Sequence, residues 1–158
     1  MLKESTLRNM SQKEVSYEDF LEELNRLNKK GLDLYIGTDS QVLKNKICIV
    51  TCICFYKRGI SENQIFYIKN RVDSEKYPTL RSRIIFEAYK SLEIALELDP
   101  MISGKLTVHL DIGTDFKRNK TAKFKNELEI LFKSQGFGCE VKPNSWASSC
   151  IADKFTKS

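Results

Sequence analysis

Acidic residues follow two of the predicted strands. Asp39 stands in "IGTDSQ", after the apolar run "LDLY", and Asp111 stands in "TVHLDIG". A carboxylate at the point where a buried strand leaves the core is costly unless it is exposed, paired or bound to a metal. If these strands are parallel neighbours, both carboxylates lie at one edge of the sheet. The alternative is that each acid only begins or caps a turn.

Two predicted helices supply further acids. Glu87 lies at the border of the apolar face of a helix over residues 78–100, and Asp153 lies on a short final helix. The predicted core face of the first of these helices consists of Ile84, Ile85, Ala88, Leu92, Ala95 and Leu96. An ordinary solvated position is the alternative for both acids. Four converging carboxylates would repel one another unless cations were present.

Carboxylate oxygens are the ligands that Mg²⁺ and Mn²⁺ prefer. Two such ions, ~3.5–4 Å apart, can activate a water and stabilise the leaving oxygen in phosphodiester cleavage. The sequence therefore predicts a site for two Mg²⁺ or Mn²⁺ ions in which the same four acids are metal ligands and catalytic residues: Asp39, Glu87, Asp111 and Asp153. The predicted substrate-binding residues around them are Ser40, Gln41, His109, Lys142, Trp146 and Lys154.

Two of these residues have a structural alternative. His109 shares a side of its strand with Asp111, where it would order the site or a water, or would make a structural hydrogen bond. Trp146 would stack on a nucleobase or pack into the core. The densest basic run, "DFKRNKTAKFK" over residues 115–125, would bind phosphates or begin a solvated helix.

The elements that must position these residues follow from the periodicity of apolar residues. Helices are predicted over residues 16–31, 78–100, 120–136 and 145–157. Strands are predicted over residues 32–39, 46–58, 65–72, 105–113 and 138–143. Three strands close in sequence, followed by alternating helices and strands, indicate an α/β fold with a mixed sheet. Residues 1–15 are predicted to be a flexible segment and residues 16–158 a single domain.

Composition limits the function classes. The chain has 158 residues and a formal net charge of +5, a mild basic excess compatible with a nucleic-acid partner. It contains no apolar run long enough to span a membrane and no signal peptide at its start, so we predict a cytoplasmic protein without a membrane partner. The number of cysteines, five, is odd, which argues against a disulfide framework. Three of them share one side of the second strand as apolar fillers: Cys48, Cys52 and Cys54.

Four motifs are distinctive when taken together: "IGTDSQ", "FEAYKSLEIAL", "VHLDIG" and "KPNSWASSCIADKFTK". They resemble the ribonuclease H-like domain, and more closely its YkuK-like family, and the resemblance covers nearly all of residues 16–158. It implies a five-stranded mixed sheet of order 3-2-1-4-5 flanked by helices. It also implies that the ribonuclease H acids correspond to Asp39, Glu87, Asp111 and Asp153. The chain departs from the family in having its only histidine, His109, on a strand and not in a late loop.

Three functions remain open from the sequence. The first is a divalent-metal-dependent nuclease acting on RNA, an RNA–DNA hybrid or structured DNA. The second is a nucleic-acid-binding protein of the same fold with little or no catalysis. The third is a protein-interaction module. The sequence does not distinguish the substrates or the oligomeric state.

Overall fold

A mixed sheet forms the centre of the molecule. The computed structural model describes residues 2–113 and 120–157, except the side chain of Cys150. Within this part of the chain, seven strands lie in the order β2-β1-β5-β4-β3-β6-β7. Their bounds are Leu7–Asn9, Glu14–Val15, Asp33–Leu43, Lys46–Tyr56, Gln64–Asp73, Leu106–His109 and Gly138–Glu140, for β1 to β7.

The five strands β5-β4-β3-β6-β7 have the order predicted for the ribonuclease H-like sheet. Strands β3, β4 and β5 form an antiparallel meander, whereas β6 pairs in parallel with both β3 and β7. The parallel pair β3–β6 is the one that matters for the acids, because its two strands end at the same edge of the sheet. The predicted order is confirmed, but the sheet has seven strands where the sequence predicted five.

The two additional strands come from the N-terminal segment. The sequence predicted no regular structure in residues 1–15, yet β1 and β2 pair with each other and β1 pairs with the edge of β5. Leu2 and Leu7 are buried, and the backbone N–H of Leu2 donates to the Glu97 carboxylate at 3.2 Å. The prediction differed because it rested on the mostly polar composition of this segment, whereas its two leucines, Leu2 and Leu7, pack into the core.

Four α-helices flank the sheet in the described part of the chain. They are α1 (Tyr17–Lys29), α2 (Leu80–Leu98), α3 (Lys125–Ser134) and α4 (Asp153–Thr156), and a π-helical segment, Ala147–Ala152, leads directly into α4. The Ser16 hydroxyl accepts a hydrogen bond from the Asp19 N–H and caps α1, as its position predicted. Thr79 and Ser82 form a capping box at the start of α2.

The helices occupy both faces of the sheet. Helices α1, α2 and α3 pack on one face and share a core with Leu34, Ile36 and Phe55. The final π-helical segment and α4 pack on the other face, against Cys52 and Tyr67. The three cysteines of β4 are buried on this second face, which agrees with their predicted role as apolar fillers. No helix in residues 2–113 or 120–157 is long and apolar enough to cross a membrane.

The core face of α2 differs in part from the predicted one. Four of the predicted residues are buried, namely Ile84, Ala88, Leu92 and Ala95, but Leu96 is 48% exposed. Ile94 and Leu98 are also buried. Ser91 belongs to this face as well, because its hydroxyl shares a 2.7 Å hydrogen bond with the Thr38 hydroxyl of β3.

Candidate active site

Asp39 and Asp111 meet at the carboxyl edge of the parallel pair β3–β6. Asp39 lies within β3 and is 6% exposed, and Asp111 follows the end of β6 at His109. Gly37 of β3 is paired with His109 of β6, and Asp39 and Asp111 each lie two residues after their member of this pair. Their carboxyl groups are close enough to share a hydrogen bond. The register of the two strands therefore brings these acids together.

The carboxyl group of Asp39 ionises with difficulty. Burial, followed by the negative charge of Asp111, the hydrogen bond with Asp111 and the charge of Asp153, raises the pKa of Asp39 to about 8. A 3.2 Å hydrogen bond from the Thr156 hydroxyl opposes this shift. At neutral pH, Asp39 thus holds a proton unless a cation replaces it.

Glu87 approaches the same place from α2. Burial raises the pKa of Glu87 well above its ordinary value, and the charges of Asp39 and Asp111 raise it further. The backbone N–H and hydroxyl of Ser40 bind the Glu87 carboxylate and favour its charged form. The acid at the border of the helix therefore leans over the edge of the sheet towards the two aspartates.

Asp111 is held by two polar side chains from the C-terminal part of the chain. The Ser149 hydroxyl donates to Asp111 Oδ1 at 3.1 Å, and Lys142 Nζ lies 3.0 Å from the same oxygen. Lys142 lies near the start of the loop that follows β7. One lysine ammonium therefore already offsets part of the negative charge.

The fourth predicted acid, Asp153, lies at the start of α4 and is half-buried. Its carboxylate pairs with Lys157 Nζ at 2.9 Å, and its charge contributes to the raised pKa of Asp39. The Thr156 hydroxyl, which binds Asp39, also lies 2.8 Å from the backbone carbonyl of Asp153, to which it can donate. Asp153 is thus linked to Asp39 through charge and through a shared threonine.

A glycine lets the final helical segment reach these acids. A Cβ atom on Gly37 would lie 2.6 Å from the carbonyl carbon of Ala147 and closer still to the Ser148 nitrogen. Only glycine allows the π-helical segment to lie this close to β3. This close approach places Ser149, Asp153 and Thr156 beside the sheet edge.

Comparison with known proteins shows the family to which this chain belongs. The sequence profile described as "Ribonuclease H-like" matches residues 16–157. The chain belongs to the ribonuclease H-like family. It is also similar to the "Uncharacterized protein YkuK" of Bacillus subtilis (strain 168), with 27% identity over 169 aligned positions that cover 94% of this chain and 95% of that protein. No solved structure matches the chain.

The acids of this ribonuclease H-like protein border an open pocket of about 300 Å³. Asp39, Glu87 and Asp111 line it, together with Ser40, Gln41, Arg83 and Thr121, among others. The Gln41 Oε1 atom is buried and has no hydrogen-bond partner in the described structure. The predicted substrate residues Ser40 and Gln41 therefore lie beside the acids, and Ser40 also holds Glu87 in place.

The other predicted substrate residues lie in different surroundings. His109 is buried, and its Nδ1 accepts a hydrogen bond from the Ala147 N–H at 3.0 Å. Burial lowers its pKa to about 4, so the ring is neutral at pH 7. Trp146 packs against Tyr35 and His109, with ring centroids 4.9 Å away in both cases. Lys154 is exposed, and its ammonium lies 5.9 Å from the centre of the Phe155 ring.

Of the basic run over residues 115–125, only residues 120–125 are described, and residues 115–119 lie outside the described structure.

Sequence reasoning missed two residues that hold the acids. Ser149 binds Asp111 and Thr156 binds Asp39, yet neither was predicted at the site. Both are separated from Asp153 by about one helical turn, four residues before it and three after it. This spacing was a usable signal, because side chains at those intervals share one face of a helix.

The donor set suits a hard divalent cation. All four candidate ligands are carboxylates, and the pKa values of two of them, Asp39 and Glu87, are raised by burial and then by neighbouring negative charge. In the described residues, however, no group of three or more histidine, cysteine, aspartate and glutamate side chains is arranged closely enough to hold a metal ion. The carboxylate chemistry of the residues fits a hard divalent cation.

Proposed function

We propose that this protein is a divalent-metal-dependent nuclease that hydrolyses phosphodiester bonds in RNA, RNA–DNA hybrids or structured DNA. Asp39, Glu87, Asp111 and Asp153 would hold two Mg²⁺ or Mn²⁺ ions and serve as the catalytic carboxylates. When bound, such ions activate a water molecule and stabilise the leaving oxygen. Membership of the ribonuclease H-like family and the basic net charge support a nucleic-acid substrate. A cytoplasmic location stays a prediction.

The observation that carries this proposal is the electrostatic state of Asp39. A buried acid whose pKa rises to about 8 beside other carboxylates destabilises its own ionised form. A purely structural site would relieve this cost by replacing one acid with an amide or an apolar residue. Several acidic side chains around one pocket are instead what a site for divalent cations requires.

The chain's own residues have distinct roles in this proposal. Ser40, Ser149 and Thr156 orient the carboxylates of Glu87, Asp111 and Asp39, in that order. Lys142 forms an ion pair with Asp111, and its ammonium group can instead pair with a phosphate of the substrate. His109 and Trp146 support the final helical segment through their packing and, for His109, through the hydrogen bond to Ala147.

A nucleic-acid-binding module of the same fold is the second candidate. The 3.0 Å ion pair between Lys142 and Asp111 favours it, because an internal cation there competes with a metal. In this alternative, the charge of the acids is balanced by lysine and by protonation of Asp39. Binding to a nucleic acid would then occur without cleavage.

Cleavage by the purified protein tests the proposal. Labelled single-stranded, duplex, hybrid and branched nucleic acids are incubated with Mg²⁺ or Mn²⁺ and with chelator. Asp39→Asn is assayed beside Asp99→Asn, a matched change at an exposed aspartate at the end of α2. We expect metal-dependent cutting by the wild type and by Asp99→Asn, and its loss in Asp39→Asn.

Calorimetry separates the two candidate functions. Metal binding that Asp39→Asn abolishes, together with cleavage of at least one substrate, supports the nuclease. Nucleic-acid binding without metal binding or cleavage leaves the binding module and rejects the catalytic role. The wild type and both variants must share the same circular dichroism spectrum for either comparison to count.

A further inference from the structure

Arg83 is a half-buried arginine whose side chain has no partner in the described part of the chain. There, its guanidinium forms no ion pair and donates no hydrogen bond. Arg81, by contrast, donates to both carboxylate oxygens of Glu127, at 2.9 and 3.0 Å. Arg58 and Arg71 also lack an acidic partner among the described residues, but both are exposed, so water solvates their charge. A charge that is partly withdrawn from water without a counter-charge destabilises the fold.

The position of Arg83 on α2 adds to this destabilisation. Arg83 lies at the end of the first turn of the helix, and this turn contains no acidic residue. The positive end of the helix dipole disfavours a cation there. A neutral side chain at this position would therefore suit the fold better than an arginine. The arginine is explained if it binds an anion that the chain itself does not supply.

Arg83 lines the same pocket as three of the candidate metal ligands. The pocket, of about 300 Å³, lies between the start of α2 and the end of β3, and Asp39, Glu87 and Asp111 are in its wall. Arg83 precedes Glu87 by four residues, so the two share one face of α2, with their Cβ atoms about 6 Å apart. The Glu87 carboxylate is bound by Ser40. The pocket thus contains carboxylates for a cation and, about one helical turn away, a guanidinium for an anion.

A phosphodiester group satisfies both parts of this pocket. Its oxygens are ligands for divalent cations held by carboxylates, and they accept the paired hydrogen bonds of a guanidinium. Lys142 is another cation beside the acids, but it is already paired with Asp111 at 3.0 Å. Arg83 can contact a phosphate without first breaking an ion pair.

We propose that Arg83 is a substrate-binding residue that contacts a backbone phosphate of the nucleic acid beside the candidate carboxylates. This rests on the proposed function in one respect, that the ligand is a nucleic acid, and it does not require cleavage. A contact of this kind positions the strand and carries no information about base sequence. Loss of the contact should therefore weaken binding to oligonucleotides of any sequence.

Fluorescence anisotropy of labelled RNA and DNA oligonucleotides with the full chain in chelator measures binding without cleavage. Arg83→Gln is expected to weaken binding about tenfold, as for the loss of a charged hydrogen-bonding partner. The plot of the logarithm of the association constant against the logarithm of the salt concentration should also become less steep. The expected change in slope is about 0.7 for single strands and about 0.9 for duplexes, because the release of one counterion is lost.

Arg81→Gln is the matched control. It changes the net charge by the same amount on the same helix, but Arg81 is 53% exposed and paired with Glu127. Its affinity and salt dependence should stay close to those of the wild type. Arg83→Lys keeps the charge and should restore the slope, but only part of the affinity, because an ammonium cannot make the paired contact. In urea denaturation, Arg83→Gln should be at least as stable as the wild type, whereas a structural role for Arg83 would make it less stable.

The outcomes for Arg83 and for the nuclease are separate. Cleavage by the wild type together with unchanged binding by Arg83→Gln overturns the role of Arg83 and leaves the nuclease in place. Binding that depends on Arg83 without metal-dependent cleavage supports the phosphate contact and rejects the catalytic role. Equal weakening by Arg83→Gln and Arg81→Gln shows a general effect of charge and overturns the contact. A wild type that binds no nucleic acid overturns both.

Discussion

At the scale of single residues, Asp39 dominates the chemistry of the molecule because it is both buried and surrounded by acids. Its pKa of about 8 in the folded protein compares with an ordinary value of 3.8. The folded protein therefore binds more protons at this residue than the unfolded chain does between about pH 4 and 8. The stability that Asp39 contributes is complete below pH 3.8 and is lost as the pH rises through about 8.

We expect Asp39→Asn to remove, in metal-free protein, the loss of stability that the wild type shows as the pH rises. The free energy of unfolding of the variant relative to the wild type should increase steadily from pH 4 to pH 8, because asparagine cannot ionise. Urea denaturation in chelator, repeated across this range, measures the difference. Addition of Mn²⁺ near pH 8 should stabilise the wild type and not the variant. A difference that does not vary with pH would show that Asp39 ionises normally.

His109 has the opposite dependence on pH. Burial lowers its pKa from 6.5 to about 4, so its contribution to stability is present above pH 6.5 and is lost as the pH falls through 4. His109→Leu leaves the Ala147 N–H without its acceptor. We expect a loss of about 1–3 kcal/mol in the free energy of unfolding at neutral pH.

Urea denaturation of His109→Leu and the wild type at neutral and acidic pH tests this role. The difference in the free energy of unfolding between the two proteins should become smaller towards pH 4, because burial of a charged imidazole destabilises the wild type there. The same difference in the free energy of unfolding at both pH values would contradict this structural role of His109. Equal stability combined with lost cleavage would instead assign His109 to catalysis.

At the scale of elements, the close packing of the final helical segment on β3 decides which side chains reach the acids. Gly37→Ala introduces a Cβ atom that would meet the backbone of Ala147 and Ser148. We expect the free energy of unfolding to fall by about 1–3 kcal/mol or more, as it does at other overpacked sites. Hydrogen exchange within residues 147–156 should accelerate more than exchange in α1.

Gly138→Ala is the control for this change. A Cβ on Gly138 would have the Thr107 hydroxyl as its nearest neighbour, at 3.2 Å, and a side-chain hydroxyl can shift where a backbone cannot. Its effect on stability should be smaller. Equal effects of the two substitutions would mean that the contact at Gly37 is not the one that positions the final helical segment.

At the scale of the whole molecule, the N-terminal hairpin covers an edge of the sheet. Removal of residues 2–15 takes away two buried leucines, each contributing about 1.5–3 kcal/mol, and frees the edge of β5. We expect a lower free energy of unfolding and concentration-dependent light scattering from edge-to-edge association. Glu97→Ala, which removes the acceptor of the Leu2 N–H but leaves both leucines in place, should lower the free energy of unfolding much less. Unchanged stability after the truncation would mean that the segment docks only weakly.

The sequence, through its motifs that resemble the ribonuclease H-like family, predicted the central strand order. It also predicted that Asp39, Glu87 and Asp111, which line one pocket in the structure, lie close together. Periodicity and capping residues are local, so Ser16, Thr79 and the apolar run of β4 predict their elements without reference to the rest of the chain. The four acids were recognisable for a related reason: each lies at the end of a predicted strand or on a predicted helix. Their roles as metal ligands stay a prediction.

Only the tertiary structure decided the features that depend on distant neighbours. The sheet edge of β5 orders the N-terminal segment. The packing of α2 on the sheet buries Ser91, which shares a hydrogen bond with Thr38, and leaves Leu96 exposed. The raised pKa of Asp39 likewise requires Asp111 and Asp153, which lie far away in the sequence. Local propensity cannot encode such effects, because burial, charge and packing are properties of residues brought together from separate parts of the chain.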